Sequence, residues 1–229
     1  MTTLPTVKPR VRSKRAASPR MPGRPTRAAG AGMDVRPQLL DAAIACFVRK
    51  GIHGTSLRAI SGEAGVTPAL LHYYFGDKQQ LQQAVVAERV LPAMAMLRGR
   101  LDLADDDPAA LVAAFVRGIG EVVATHPWLP ALWMREVLSE GGALRDVMMS
   151  QVGPQLPVML ATRFAQAQQA GRLNPDLDPR LMVVSLVGLT LFPYAAAPIW
   201  RELFDAHAVD AMALGNHTVA LLDRGIGVG

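Results

Sequence analysis

From residue 36 onward, apolar residues recur at spacings of three and four, the pattern of helices that each bury one face. Pro37 suits the first turn of a helix. In it Leu39, Leu40, Ala43, Ile44, Phe47 and Val48 form one stripe, and Gly51 stops it. Thr55 or Ser56 caps a second helix with Leu57 and Ile60 inward, and Gly65 ends that helix. Thr67 caps a third, short helix with Pro68 in its first position, running to about Phe75. Gly76 breaks the chain again, and Asp77 caps a fourth helix carrying Leu81, Val85 and Val86. Two short helices joined by Gly65-Val66 form a helix-turn-helix pattern. At 100° per residue, Leu71 and Phe75 lie within about 40° of each other and face inward. Ala69, His72 and Tyr73 lie opposite, with Leu70 and Tyr74 at the margins.

The remainder also reads as helix. Residues 77–104 make one helix or two, because Pro92 interrupts the run. Pro108 opens 109–124 and Pro127 opens 128–139. A run over 143–171 is broken near Gly153, Pro154 and Pro157, and 179–203 and 208–223 follow. There is no alternating strand pattern and no internal repeat. The expected fold is all-α: a disordered basic arm at 1–33, a three-helix helix-turn-helix domain at 34–82, and a larger helical body at 83–229.

Charge sharpens this division. Residues 1–36 carry nine Lys or Arg and one acid, Asp34, a balance of +8, whereas the rest carries 15 bases against 18 acids, a balance of −3. A basic arm on a mildly acidic body suits nucleic acid or an anionic surface. Prolines 5, 9, 19, 22 and 25 exclude an amphipathic targeting helix there, and no apolar run marks a secretory signal. Half of the 229 residues are hydrophobic, enough for a substantial core. One cysteine, Cys46, excludes an internal disulfide and a cysteine-rich metal site, and suits a reducing compartment. No glycine-rich phosphate loop, dinucleotide fingerprint or HExxH is present, and the five histidines lack metal-ligand spacing. Neither an enzyme nor a resident cofactor or metal is expected. Glu136 and Glu140 read as a solvated or pocket face rather than an acid/base pair.

Residues 181–200 carry no charge. That length suits a membrane span, so a membrane-anchored helix-turn-helix protein is the alternative reading. Pro193, Pro198, Ser185, Gly188 and Thr190 fit a buried interface helix better.

The stretch TSLRAISGEAGVTPALLHYYFGDKQQL (55–81), with AGVT at 64–67, HYYF at 72–75 and Lys78, resembles the DNA-binding domain of the tetracycline-repressor (TetR/AcrR) family. The resemblance implies a cytoplasmic, dimeric transcription regulator on a palindromic double-stranded DNA operator. Thr55 and Thr67 would contact phosphates; Pro68, Ala69, His72 and Tyr73 would face the major groove; Tyr74 and Lys78 would touch the backbone. Many members carry Lys or Arg where this chain has Pro68. In the arm, Pro22-Gly-Arg-Pro25 approaches an Arg-Gly-Arg-Pro minor-groove motif but lacks its first Arg. The resemblance also makes 34–82 a DNA-binding domain and 83–229 a ligand-binding and dimerisation domain. It pairs 179–203 and 208–223 with a second subunit, which would cover 181–200 without a membrane.

The helices at 109–124, 128–139 and 143–171 carry a surplus of apolar and polarizable residues, including Phe115, Trp133, Met134 and Met159. They read either as core or as the wall of a pocket for a small hydrophobic effector, with His126, Arg135 and Glu136 orienting it. The family resemblance favours the pocket, and with it a repressor released by its ligand.

Overall fold

The computed structural model describes residues 34–152 and 155–226, and the described residues form helices and turns without a strand. The arm at 1–33 and the break at Gly153–Pro154 lie outside them.

Helix starts follow one local rule: a short oxygen-bearing side chain accepts from the backbone N–H two or three residues on, often just before a proline. Asp34 does this for α1 (Val35–Lys50), Ser56 for α2 (Leu57–Glu63) and Thr67 for α3 (Pro68–Phe75). Asp77 does it for α4 (Lys78–Val85). Gly51 ends α1 at φ 76°, a conformation open to glycine, and its N–H returns to the Phe47 carbonyl at 2.8 Å.

α4 continues through a π-helical turn, Val86–Val90, into α5 (Leu91–Asp102). Pro92 therefore does not divide the run. It has no N–H to give the Glu88 carbonyl four residues back, and Arg89 Nη1 fills that role at 3.1 Å. The same segment grips α1. Arg36 forks onto the Glu88 carboxylate, and Arg89 reaches the Asp41 carboxylate at 3.0 Å and the Pro37 carbonyl at 3.2 Å. Each partner of the Arg36–Glu88 pair shifts the other toward its charged form, chiefly through their hydrogen bonds.

Asp107 and Asp178 cap α6 (Pro108–Thr125) and α10 (Pro179–Ala195), each followed by proline. Between them lie α7 (Leu129–Trp133), a π-helical turn (Met134–Leu138), α8 (Arg145–Val147), a second such turn (Met148–Val152) and α9 (Gln155–Gln169). α6 is central to the body, lying against α5, α10 and the last helix, and it buries Leu111, Phe115, Ile119 and Val122.

The predicted 179–203 helix breaks at Ala196, and α11 (Ala197–Leu203) leaves at 69°. Pro198 accounts for the break, since it has no N–H to give the Tyr194 carbonyl four residues back, while it is tolerated in the first turn of α11. Trp200 Nε1 closes the corner onto the Pro193 carbonyl at 2.7 Å. The last helix, α12 (Ala211–Ile226), starts later than predicted and leaves His207 in the preceding turn. The 181–200 stretch is therefore no straight span. α10 buries Met182, Val183, Leu186 and Leu191 in the body. Pro108–Thr125 is long and apolar enough to cross a membrane, but half of that window is buried as the core helix α6.

Two apolar clusters organise the molecule. One holds the faces of α5, α6, α9 and α10; the other gathers Leu39, Leu40, Phe47, Ile60, Leu71, Phe75 and Leu81. The second also takes in Leu132, Leu144 and Met148, so packing does not stop at residue 82, and from Asp34 onward the chain clusters as one compact unit. Phe75 is 3% exposed, with the Arg36 guanidinium 4.6 Å from its ring centroid. Replacing Phe75 with Ala is expected to cost about 3–5 kcal/mol of stability, read by denaturant unfolding.

Candidate nucleic-acid interface and internal cavity

α2, the Gly65-Val66 turn and α3 form the helix-turn-helix. α3 is fixed by Leu71, fully buried, and Phe75. The opposite side leaves Thr67, Pro68, Ala69, His72 and Tyr73 exposed, Tyr73 by 83%. Thr67 Oγ1 caps the helix by accepting from Leu70 N–H at 3.3 Å. Tyr74 is half-buried and meets Tyr73 edge-on, ring centroids 5.5 Å apart. Lys78 Nζ donates to the His53 carbonyl at 3.2 Å, which fixes its stem beside the α1–α2 loop. His72 Nδ1 bonds the Gly76 carbonyl. A carbonyl only accepts, so Nδ1 carries the proton and Nε2 of the neutral ring is an acceptor.

Thr55 differs from its expected role. It is 2% exposed, and its hydroxyl donates to the Gly51 carbonyl at 2.7 Å. Its hydroxyl is bonded inside the fold, and the neighbouring exposed Ser56 caps α2.

In the body, a cavity of about 90 Å³ lies among α5, α6, α7, α9 and α10. Phe115 and Trp133 line it, with Met94, Met148, Leu160 and Val183 among the others. Every lining residue is apolar, and no polar atom opens onto the wall. The expected polar contacts are elsewhere. His126 lies against Trp128 with the rings tilted at 56° and centroids 5.5 Å apart, and burial, then Arg89, lowers its pKa below the ordinary imidazole value. Met134 and Arg135 edge a surface groove with Phe192 and Ile199, and Met159 packs into the body core. Glu136 is buried and bonded to backbone rather than facing a ligand. The missed wall residues Val183, Val187 and Leu191 stand four apart on α10. That spacing is readable in the sequence, but the absence of charge along the segment points equally to a subunit interface.

A helix-turn-helix head on a helical body defines the class: a DNA-binding regulator. The family model for bacterial regulatory proteins of the tetR family matches residues 39–85. The Escherichia coli (strain K12) HTH-type transcriptional regulator RutR is 30% identical over 187 residues, covering 81% of this chain and 85% of RutR. The HTH-type regulator UidR of the same strain is 25% identical over 193 residues, covering 81% and 94%. In fold, the chain resembles the ketosteroid transcriptional regulator KstR2 of Mycobacterium tuberculosis, with TM-score 0.70 and 21% identity over 89% of this chain and all of the other. It also resembles FadR of Bacillus subtilis in complex with stearoyl-CoA, with TM-score 0.63 and 19% identity over 83% and 98%. The chain belongs to the tetR family and is a DNA-binding regulator of transcription.

Because Tyr73 is so exposed, Tyr73→Ala is expected to leave stability within about 0.5 kcal/mol. Specific DNA affinity should fall by about 1–3 kcal/mol per half-site. Unfolding curves and binding titrations on DNA selected from a random pool check both parts.

Proposed function

We propose that this chain is a cytoplasmic, homodimeric repressor whose hold on a palindromic operator is released by a small, uncharged, apolar ligand. The observation that carries the ligand half is the cavity wall, which offers apolar contact and no polar partner. A charged group there would lose its hydration without compensation. KstR2 is a ketosteroid regulator and the FadR structure holds stearoyl-CoA, so each neighbour is linked to a molecule with a large apolar portion, the steroid rings in one and the stearoyl chain in the other. Met94 and Met148 let the wall adapt to bulkier shapes.

For the DNA half, the reading assigns 34–82 as the head and 83–229 as the body. Thr67, Pro68, Ala69, His72 and Tyr73 face the major groove; Tyr74, Lys78 and the start of α2 meet the backbone. No exposed residue on α3 is a guanidinium or carboxylate. Base reading then falls to the Tyr73 hydroxyl, the apolar surface of Pro68 and Ala69, and the His72 acceptor. That acceptor suits the exocyclic amines of adenine or cytosine.

Dimerisation is supported by a bare stripe. Leu181, Val184 and Phe192 on α10 are 61%, 65% and 59% exposed, at positions that share one helical face opposite its buried side. Met212 and Leu221 on α12 and Ile199 on α11 add to the exposed apolar surface. Apolar surface of this kind marks an interface. A two-fold pair would place two copies of α3 on the half-sites of a palindrome.

Light scattering is expected to give a dimer alone and two chains per selected DNA duplex; a monomer at micromolar concentration overturns this. For the ligand, three probes share one ring. Toluene is expected to raise Tm and weaken operator binding, and benzylammonium and benzoate to do neither, since only the neutral probe matches the wall. Equal shifts from all three would defeat the assignment.

A further inference from the structure

Glu136 is a buried carboxylate used by neither the DNA-facing helix nor the cavity wall. It is 3% exposed and enters no ion pair among the described residues. Its Oε1 accepts from Ile52 N–H at 2.9 Å, across 84 positions of sequence, and its Oε2 accepts from Ala143 N–H at 3.2 Å. Two glycines make room for it. A Cβ on Gly51 would lie 3.2 Å from Oε1, and one on Gly142 would overlap the Glu136 carbonyl oxygen.

On the head side, Gly51 and Ile52 are the loop that enters the helix-turn-helix. Gly51 also takes the Thr55 hydroxyl, one residue before the Ser56 cap of α2. On the body side, two routes run from Glu136 to the cavity. Trp133, on the wall, stands three residues earlier in the same continuous helical run. In the other direction, the Glu136 carbonyl accepts from Leu144 N–H at 3.0 Å, and the Leu144 carbonyl accepts from Met148 N–H at 2.8 Å. Met148 is on the wall as well. Glu136 itself sits in the π-helical turn Met134–Leu138, a form that recurs at functional sites inside helices.

We propose that Glu136 is a positioning residue, a strut through which the cavity wall at Trp133 and Met148 sets the place of the Gly51–Ile52 loop and hence of the helix-turn-helix. The proposal rests on the reading above of a DNA-binding head governed by an apolar ligand. A wall that moves when the cavity fills carries the carboxylate with it, and the two backbone donors follow or let go. The coupling is carried by a chain of bonded groups linking two sites. Its size is the factor by which ligand changes DNA affinity.

The test uses the full chain, selected operator DNA, toluene as probe, and Glu136→Gln. The amide keeps one acceptor but turns its NH₂ toward one of the two backbone donors. In the wild type, toluene is expected to weaken operator binding by about 5–150-fold, the usual range for such coupling. In Glu136→Gln, toluene is expected still to raise Tm while that factor falls toward one, and Ile52 amide exchange should quicken. A variant that keeps the wild-type factor overturns the strut, even if it melts earlier. If toluene leaves wild-type operator affinity unchanged, ligand control by this cavity falls on its own. The strut is then decided by Glu136→Gln without ligand. Faster Ile52 exchange with about tenfold weaker operator binding supports it, and wild-type values for both overturn it. If Glu136→Gln does not fold, wild-type Ile52 exchange with and without toluene decides, and no difference overturns the proposal.

Discussion

Burial of the inner face of α1 is the constraint on which the rest of the molecule depends. Leu39, Leu40, Ala43 and Phe47 are fully buried, and each large side chain among them is worth about 1.5–3 kcal/mol when taken out of water. The short helices α2 and α3 cover only part of that face, because a unit of this size buries too small a share of its surface. The rest comes from Val85, Val86 and Val90 on the α4–α5 run and from Leu132, Leu144 and Met148 beyond it. The buried side of α3, Leu71 and Phe75, is therefore seated on this shared core. The Arg36–Glu88 and Arg89–Asp41 pairs work at its edge, where solvent keeps their contribution small.

The two ends of the molecule meet different chemical demands. The outward side of α3 carries no Lys, Arg, Asp or Glu. On the proposed reading, phosphate attraction comes from helix termini and from basic residues elsewhere, and this face discriminates rather than attracts. The cavity is the reverse case, with no polar atom exposed on its wall. On the proposed reading, selection there is by shape and limited to about 1–3 kcal/mol per methylene, so related compounds would bind comparably.

Local chemistry made much of this readable from sequence. The caps Thr67 and Asp77, the stops Gly51, Gly65 and Gly76, and the inward pair Leu71 and Phe75 follow from propensity and period, and the structure has them in those roles. What escaped was non-local. Thr55 and Ser56 are equivalent as residue types, and only the nearby Gly51 carbonyl turns Thr55 inward. The α10 run carries two apolar faces, one toward the cavity and one bare, and a stretch without polar punctuation does not separate them. Pro198 signalled a break, but the uncharged run around it was read as continuous. Glu136 was unreadable because its partner Ile52 is 84 positions away and contributes only a backbone N–H, which leaves no trace in residue type.

The apolar cluster that spans α1 and the π-helical turns has a consequence for modularity. Relatives of one fold invite the construction of chimeras, in which the DNA-reading unit of one is grafted onto the effector unit of another. In this chain the seam at residue 82 cuts through a continuous interior. A graft that carried only 34–82 would leave the head's cluster meeting foreign side chains where Leu132, Leu144 and Met148 now sit. The natural unit of exchange is discontinuous, and a working hybrid has to transfer those three positions and Val85, Val86 and Val90 together with the N-terminal helices.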